Sequence, residues 1–316
     1  MTAATERTTV PTAVGDLRAG IWVPDLPGPL PGVVLVDGSG DGRYDDFGEW
    51  PGLLASCGAV VLAHDKPGCG GSPGHWTNQT IDDRARETLA ATAVLRGHPA
   101  VAGPVGLLGV SQGGWVAVRA ASLDDRVGFV ISVSGPGVTP AAQERTRIER
   151  ELRADGVAPA TVAEALAWID ERTRRLLAGE APRDVLDHQR RYAGRPWFTI
   201  ATRHFDDPAT LTFLAGVLGF DPVRVLPDVS CPVLALFGAA DPLVPVPESV
   251  AAFATHLVGA RHGVAVFPGA DHGLFVGGFD PDRPRAEQLA PGFLPMVTEF
   301  LRVASGEYIA MRVKSV

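Results

Sequence analysis

Six short apolar runs recur along the chain: GVVLVDG (32–38), AVVLAHD (59–65), PVGLLGV (104–110), VGFVISVSG (127–135), PVLALFG (232–238) and GVAVFPG (263–269). Each is continuous rather than alternating and rich in β-branched residues. That pattern suits strands covered on both faces, as in a parallel sheet. Helical patterns fall between them. Residues 82–96 carry Ala85, Leu89, Ala93 and Val94 among charges, 114–122 are small and apolar, and 246–258 are apolar with Pro247 near the start, where proline is tolerated. Strand–helix alternation of this kind predicts βαβ units with right-handed crossovers. Residues 9–23 are less regular and are predicted as an antiparallel edge hairpin.

The alternation breaks at 137–225. Thr139-Pro140 forms an N-cap and N1 pair opening a charged helix through Arg153. Helical patterns follow at 159–178, 182–192 and 208–218. The chain therefore divides into a core, 1–136 with 226–316, and a helical insertion, 137–225. The insertion's aromatics, among them Trp168, Trp197, Phe205 and Phe213, are expected mostly in its own core, with some lining a pocket that faces the sheet.

Bulk properties narrow the function classes. The chain has 316 residues, 46% hydrophobic and 20% charged, ordinary for a globular protein and long enough to bury a core without disulfides or metal. A net charge of −8 argues against a nucleic-acid partner. No apolar run follows the first charges as in a secretory signal, and no stretch is expected to reach the ~18 apolar residues of a membrane span. Cys57, Cys69 and Cys231 have neither CxxC nor metal-type spacing. They are expected as free thiols in a reducing cytoplasm, with no metal site.

The chemistry begins where PVGLLGV ends. Gly109-Val110-Ser111-Gln112-Gly113-Gly114 is G-x-S-x-G between an apolar strand and a small-residue helix. A serine on so tight a turn needs small neighbours, and the turn lifts its hydroxyl above the carboxyl edge of the sheet. Serine needs a base oriented by a third group, and the order expected for this turn is Ser, Asp or Glu, His. Asp241 follows the strand PVLALFG, and His272 follows GVAVFPG. Both lie past strand ends on the edge that carries Ser111, which makes them the candidate acid and base. His75, after GGSPG, is the weaker candidate for approaching the site.

GVSQGG, GAADPLVP and GADHG, with HDKPGCGGS at 64–72, resemble the serine-hydrolase, esterase-like branch of the α/β-hydrolase family. The last stretch matches the family's D-x-R-G-x-G-x-S turn, with Asp65 in place and Pro67 where arginine is usual. The resemblance spans about 30–300, interrupted by the insertion. It implies an α/β-hydrolase fold, a mostly parallel eight-stranded sheet flanked by helices, with 137–225 as a helical cap. It also implies cofactor-free hydrolysis of a carboxylic ester, thioester or amide of a small to medium, partly apolar substrate. Ser111 would attack the acyl carbonyl, His272 would take the proton, and Asp241 would hold the imidazole. The oxyanion would meet backbone N–H groups of Gln112 and of Gly38 or Ser39.

Asp37 departs from that pattern, because the family commonly has histidine there. It can stand in by hydrogen-bonding the loop backbone. Alternatively, an ionised Asp37 repels an oxyanion unless Lys66 or Arg43 neutralises it. It would then serve as an acid/base in a non-hydrolytic reaction such as acyl transfer, cyclisation or lyase chemistry. A calcium reading of DGSGDG fails on spacing. The twelfth position of a loop begun at Asp37 is Gly48, with Glu49 one place late.

Overall fold

The computed structural model describes residues 3–27, 30–259 and 261–306. Five of the six apolar runs are continuous because successive side chains enter two different cores, whereas GVAVFPG (263–269), expected to be covered on both faces, forms the sheet's edge and leaves Val266 42% exposed. On one face of the sheet Val34, Val36, Leu62, Leu107 and Val130 pack with Ala85, Leu95, Trp115 and Val116. On the other, Val33, Leu35, Val61, Leu108 and Ile131 pack with Leu54, Phe293, Val297 and Leu301. Alternating positions of one strand are thus buried on opposite sides.

Among the described residues one sheet has eight strands: β1 Ala3–Thr12, β2 Gly15–Pro24, β3 Leu30–Val36, β4 Val60–His64, β5 Val101–Val110, β6 Val130–Val133, β7 Val233–Gly238 and β8 His262–Phe267. Their order is β1-β2-β4-β3-β5-β6-β7-β8. The β1–β2 hairpin is antiparallel and joins β4 antiparallel, and every later pair is parallel. The expected edge hairpin is therefore present and longer than the pattern at 9–23 indicated. Conversely, β6 is shorter than the apolar run at 127–135: it starts only at Val130, and Ser134, at φ 51, directly follows its last residue.

Helices α1 Trp50–Ser56, α2 Ile81–Arg96, α3 Gln112–Leu123, α10 Val246–His256, α11 Arg285–Gln288 and α12 Phe293–Ala304 belong to the sheet region. A capping box between Thr80 and Asp83 starts α2. Between β6 and β7 stand α4 Pro140–Ala154, α5 Pro159–Leu177, α6 Pro182–Gln189, α7 Phe198–Thr202, α8 Pro208–Val217 and α9 Pro222–Val225. Thr139 Oγ1 accepts from Ala142 N and caps α4. Trp168, Tyr192 and Trp197 pack on one another in the core of these helices, with centroids 5.1 and 5.4 Å apart.

One expectation is corrected here. The stretch Pro208–Asp228, with mean hydropathy 1.4, is long and apolar enough to cross a membrane by length and composition. Its apolarity serves packing, since Leu211, Phe213, Leu214 and Val217 are buried and the helix restarts at Asp221-Pro222.

Strand register sets the site. Val36 pairs with Gly109, Val110 with Val133, and Gly238 with Phe267. The carboxyl ends of β3, β5, β6, β7 and β8 therefore finish at one edge, where the residues that follow them converge. The turn after β5 is packed too tightly for any side chain at its glycines. A Cβ on Gly109 would lie 2.0 Å from Gly113 O, and one on Gly113 would lie 2.2 Å from Val36 O. Gly113→Ala is therefore expected to destabilise the protein by about 1–3 kcal/mol or more through overpacking. Gly52→Ala, in α1 with open space around it, should be neutral or stabilising by up to about 1 kcal/mol. Thermal melting of the two variants checks the contrast, and equal melting temperatures would contradict it.

Candidate active site

Ser111 precedes the first residue of α3 and has φ 55 and ψ −121. This is a sparsely populated conformation for a side chain bearing a Cβ, at a cost of order 1–3 kcal/mol. The surroundings hold it there. Ser111 N donates to Val133 O at 2.9 Å, and Gly114 N donates to Ser111 O at 2.8 Å. The hydroxyl opens on a cavity of about 540 Å³.

Asp241 and His272 meet beside it. Asp241 Oδ2 and His272 Nδ1 are 2.7 Å apart. The other carboxylate oxygen accepts from Leu243 N at 2.7 Å and Val244 N at 3.0 Å, which fixes the acid in place. Arg150, from α4, donates to the Asp241 and Val244 carbonyls and ties the inserted helices to this turn. Ser134 Oγ donates to His272 O at 2.8 Å. His272, Ser111, Gln112, Gly38 and Ser39 all line the cavity. The structure thus brings together all the residues singled out for acyl chemistry. No direct hydrogen bond joins Ser111 Oγ to His272 among the described residues, and such bonds often tighten only when substrate is bound.

The loop after β3 lies close to the serine. A Cβ on Gly38 would stand 3.4 Å from Ser111 Cβ, so the glycine permits that approach. Asp37 turns back on its own loop. Its Oδ1 accepts from Gly38 N at 2.7 Å, and its Oδ2 lies 3.4 Å from Lys66 Nζ. Of the two cations considered for neutralising it, Lys66 does so. Arg43 instead pairs with Asp45 at 2.7 Å. Gly38 N–H is thus spent on Asp37, and the next residue of the loop, Ser39, lines the cavity.

Lys66 is placed by the D-x-x-G-x-G-x-S turn. Asp65 Oδ1 accepts from Tyr44 N, and Oδ2 accepts from Ser72 Oγ at 2.8 Å. Gly70 has φ +59, and a Cβ there would overlap the Asp65 carboxylate. Burial, with Arg84 next in weight, pushes the Lys66 ammonium down to about 7, against the opposing pull of Asp37.

The cavity has two characters. Trp76, Phe213, Leu214 and Val217 give it an apolar wall, while Gln143, Glu144, Arg147 and His204 give it a polar one. Burial alone would raise the Glu144 carboxyl, but Arg147 and Arg172 outweigh it and hold it below its ordinary range. Burial, with help from Arg147, pushes the His204 imidazole down. His75 is elsewhere. It lines a separate groove with Val14 and Glu87. Arg84 was not recognisable as a site residue from sequence. Its only signal is a basic residue on the stripe of α2 that carries Ile81, Ala85 and Thr88, all buried.

A parallel sheet crossed by helices, with a strained serine at its carboxyl edge beside an aspartate–histidine pair, is the architecture of one hydrolase class. The alpha/beta hydrolase family profile matches residues 33–287, and the chain belongs to that family. Rat acyl-coenzyme A thioesterase 1 is 34% identical over 127 residues, covering 40% of this chain and 29% of the relative. Human mitochondrial acyl-coenzyme A thioesterase 2 is 33% identical over 132 residues, covering 40% and 25%. The matched segment thus spans under a third of these relatives. Among solved structures, a Pyrococcus furiosus esterase superposes with TM-score 0.62 at 17% identity, covering 96% of this chain and 92% of the other. A 2,6-dihydroxy-pseudo-oxynicotine hydrolase superposes with TM-score 0.58 at 18% identity, covering 96% and 69%. At such identities the likeness is one of fold.

The Asp241–His272 contact has a spectroscopic consequence. The His272 Nδ1 proton held on the carboxylate is expected as a strongly deshielded resonance in proton NMR. It should disappear in Asp241→Ala. Its persistence in that variant would contradict the pairing.

Proposed function

We propose that the protein is a serine hydrolase that cleaves a carboxylic ester or thioester through an acyl-enzyme on Ser111. The observation that carries this reading is the strained Ser111 turn opening on the same cavity as the 2.7 Å Asp241–His272 contact. His272 takes the Ser111 proton as the hydroxyl oxygen attacks the acyl carbon. Asp241, fixed by two backbone N–H groups, keeps the imidazole in the tautomer that accepts at Nε2 and stabilises the imidazolium. The oxyanion is received by Gln112 N–H at the start of α3 and by Ser39 N–H. The alcohol or thiol leaves with the proton from His272. Water, activated by the same imidazole, then releases the acid.

The inserted helices α4–α9 act as a cap over the site, since Arg147, Phe205 and Phe213 wall the cavity from that side. Its apolar wall suits an acyl chain of small to medium length, and the polar wall suits the alcohol or thiol portion. The thioesterase names of the partial relatives favour including thioesters in the substrate class. Asp37 borders the cavity, but its contacts favour a structural role over that of an acid/base in a non-hydrolytic reaction. One oxygen accepts from Gly38 N and the other faces Lys66.

The test is hydrolysis of p-nitrophenyl esters of graded chain length. Wild type is expected to turn over the short and medium esters. Ser111→Ala should lower kcat by a factor on the order of 10⁴ or more, as when a catalytic nucleophile is removed. Comparable rates in the two proteins would refute the role of Ser111.

A further inference from the structure

Two buried cations take no part in the proton transfers, yet both grip the loop that begins at Asp37. Lys66 Nζ donates to Gly38 O at 2.7 Å and to Gly40 O at 2.6 Å. Arg84 donates to Gly38 O at 3.1 Å, to Asp37 O at 2.7 Å and to Gln112 Oε1. Gly38 O therefore accepts from two cations at once. The peptide it belongs to is trans, so the N–H at its other end, that of Ser39, points the opposite way. Lys66 and Arg84 are buried, whereas Ser39 lines the cavity. Cationic donors on a carbonyl also polarise the amide and strengthen its N–H as a donor. Arg84 reaches the Gln112 side chain as well, so one guanidinium spans both halves of the candidate oxyanion hole.

We propose that Lys66 and Arg84 are positioning residues that aim Ser39 N–H at the acyl oxygen, and that the proton on Lys66 makes the reaction sensitive to alkaline pH. This rests on the acyl-enzyme reading and deepens it. The groups facing Lys66 are Asp37 from the loop, Arg84 from α2, and Cys69 and His64 from its own chain segment. Burial and Arg84 favour the neutral amine, and Asp37 favours the ammonium. As pH rises above about 7, the ammonium loses one of its three donors and its attraction to Asp37. The clamp then loosens and the rate falls. Stability moves in the opposite direction. The cost of burying the charged form is fully present below about 7 and fades as pH rises towards the ordinary lysine value of 10.5. A merely structural lysine would not produce opposite trends in rate and stability.

The experiment measures the rate at which a fluorophosphonate probe labels Ser111, as a function of pH, in the full chain. The phosphoryl oxygen occupies the position of the oxyanion. Wild type is expected to lose labelling rate on the alkaline side of about pH 7. Lys66→Met should label about 10- to 100-fold more slowly, below the loss seen when an oxyanion donor is removed outright, and without that alkaline limb. On a p-nitrophenyl ester the same variant should lose kcat with KM little changed. Asp37→Asn keeps an acceptor for Gly38 N–H but removes the charge that supports the ammonium, so its alkaline limb should move to lower pH. This second variant decides the matter if Lys66→Met fails to fold. An alkaline limb unchanged in Asp37→Asn, or kept with wild-type rate in folded Lys66→Met, would overturn the proposal while leaving Ser111 as nucleophile. A wild type whose Ser111 does not label at all would overturn the acyl-enzyme reading first, and the clamp with it.

Discussion

The structure turns on one close approach, between the first turn of α3 and the end of β3. Gly113 sits so near the Val36 carbonyl that no Cβ fits between them. The turn in front of it leaves Ser111 at φ 55. Core packing on both faces of the sheet supports that strain, with Trp115, Val116 and Ala117 of α3 buried against it. The same approach brings the loop after β3 alongside the serine. Ser111 and the loop after β3 are thus placed by a single packing constraint.

A second layer of order comes from buried charge. Isolated charges are costly to bury, and Lys66 and Arg84 are tolerated because backbone carbonyls, Gln112 Oε1 and Asp37 meet their donors. Asp37 thereby changes meaning. It borders the cavity, but one of its oxygens holds Gly38 N–H and the other faces Lys66. The turn at Asp65–Ser72 extends this arrangement by carrying Lys66 beneath the loop.

Much of this was legible in the sequence, for identifiable reasons. Parallel strands buried on both faces write continuous apolar runs, and five of the eight strands carry that mark, while the edge strand β8 carries the run without the burial. The serine turn demands glycines at fixed offsets, and the candidate acid and base follow strand ends in a fixed order, so Ser111, Asp241 and His272, which the structure gathers at one edge of the sheet, could be named as candidates from local signals. What escaped depends on contacts between distant segments. Arg84 meets Gly38 across 46 positions, and nothing in its own neighbourhood announces that. The choice between Lys66 and Arg43 as partner of Asp37 likewise required the path of the loop. The bond from Gly38 N–H to the Asp37 carboxylate is a matter of side-chain rotation that spacing does not encode. The apolarity of Pro208–Asp228 was underestimated, and it decides little, because packing between helices and spanning a membrane ask for the same composition.

The central claim is that acyl groups pass through Ser111 in the cavity it shares with His272. Its most direct test is rapid acid quench during turnover of a p-nitrophenyl ester, followed by tandem mass spectrometry of the digested protein. The account predicts an acyl adduct on the peptide bearing Ser111, localised to its hydroxyl. An adduct confined to another nucleophile, such as Cys69, or turnover without acylation of Ser111, would contradict it.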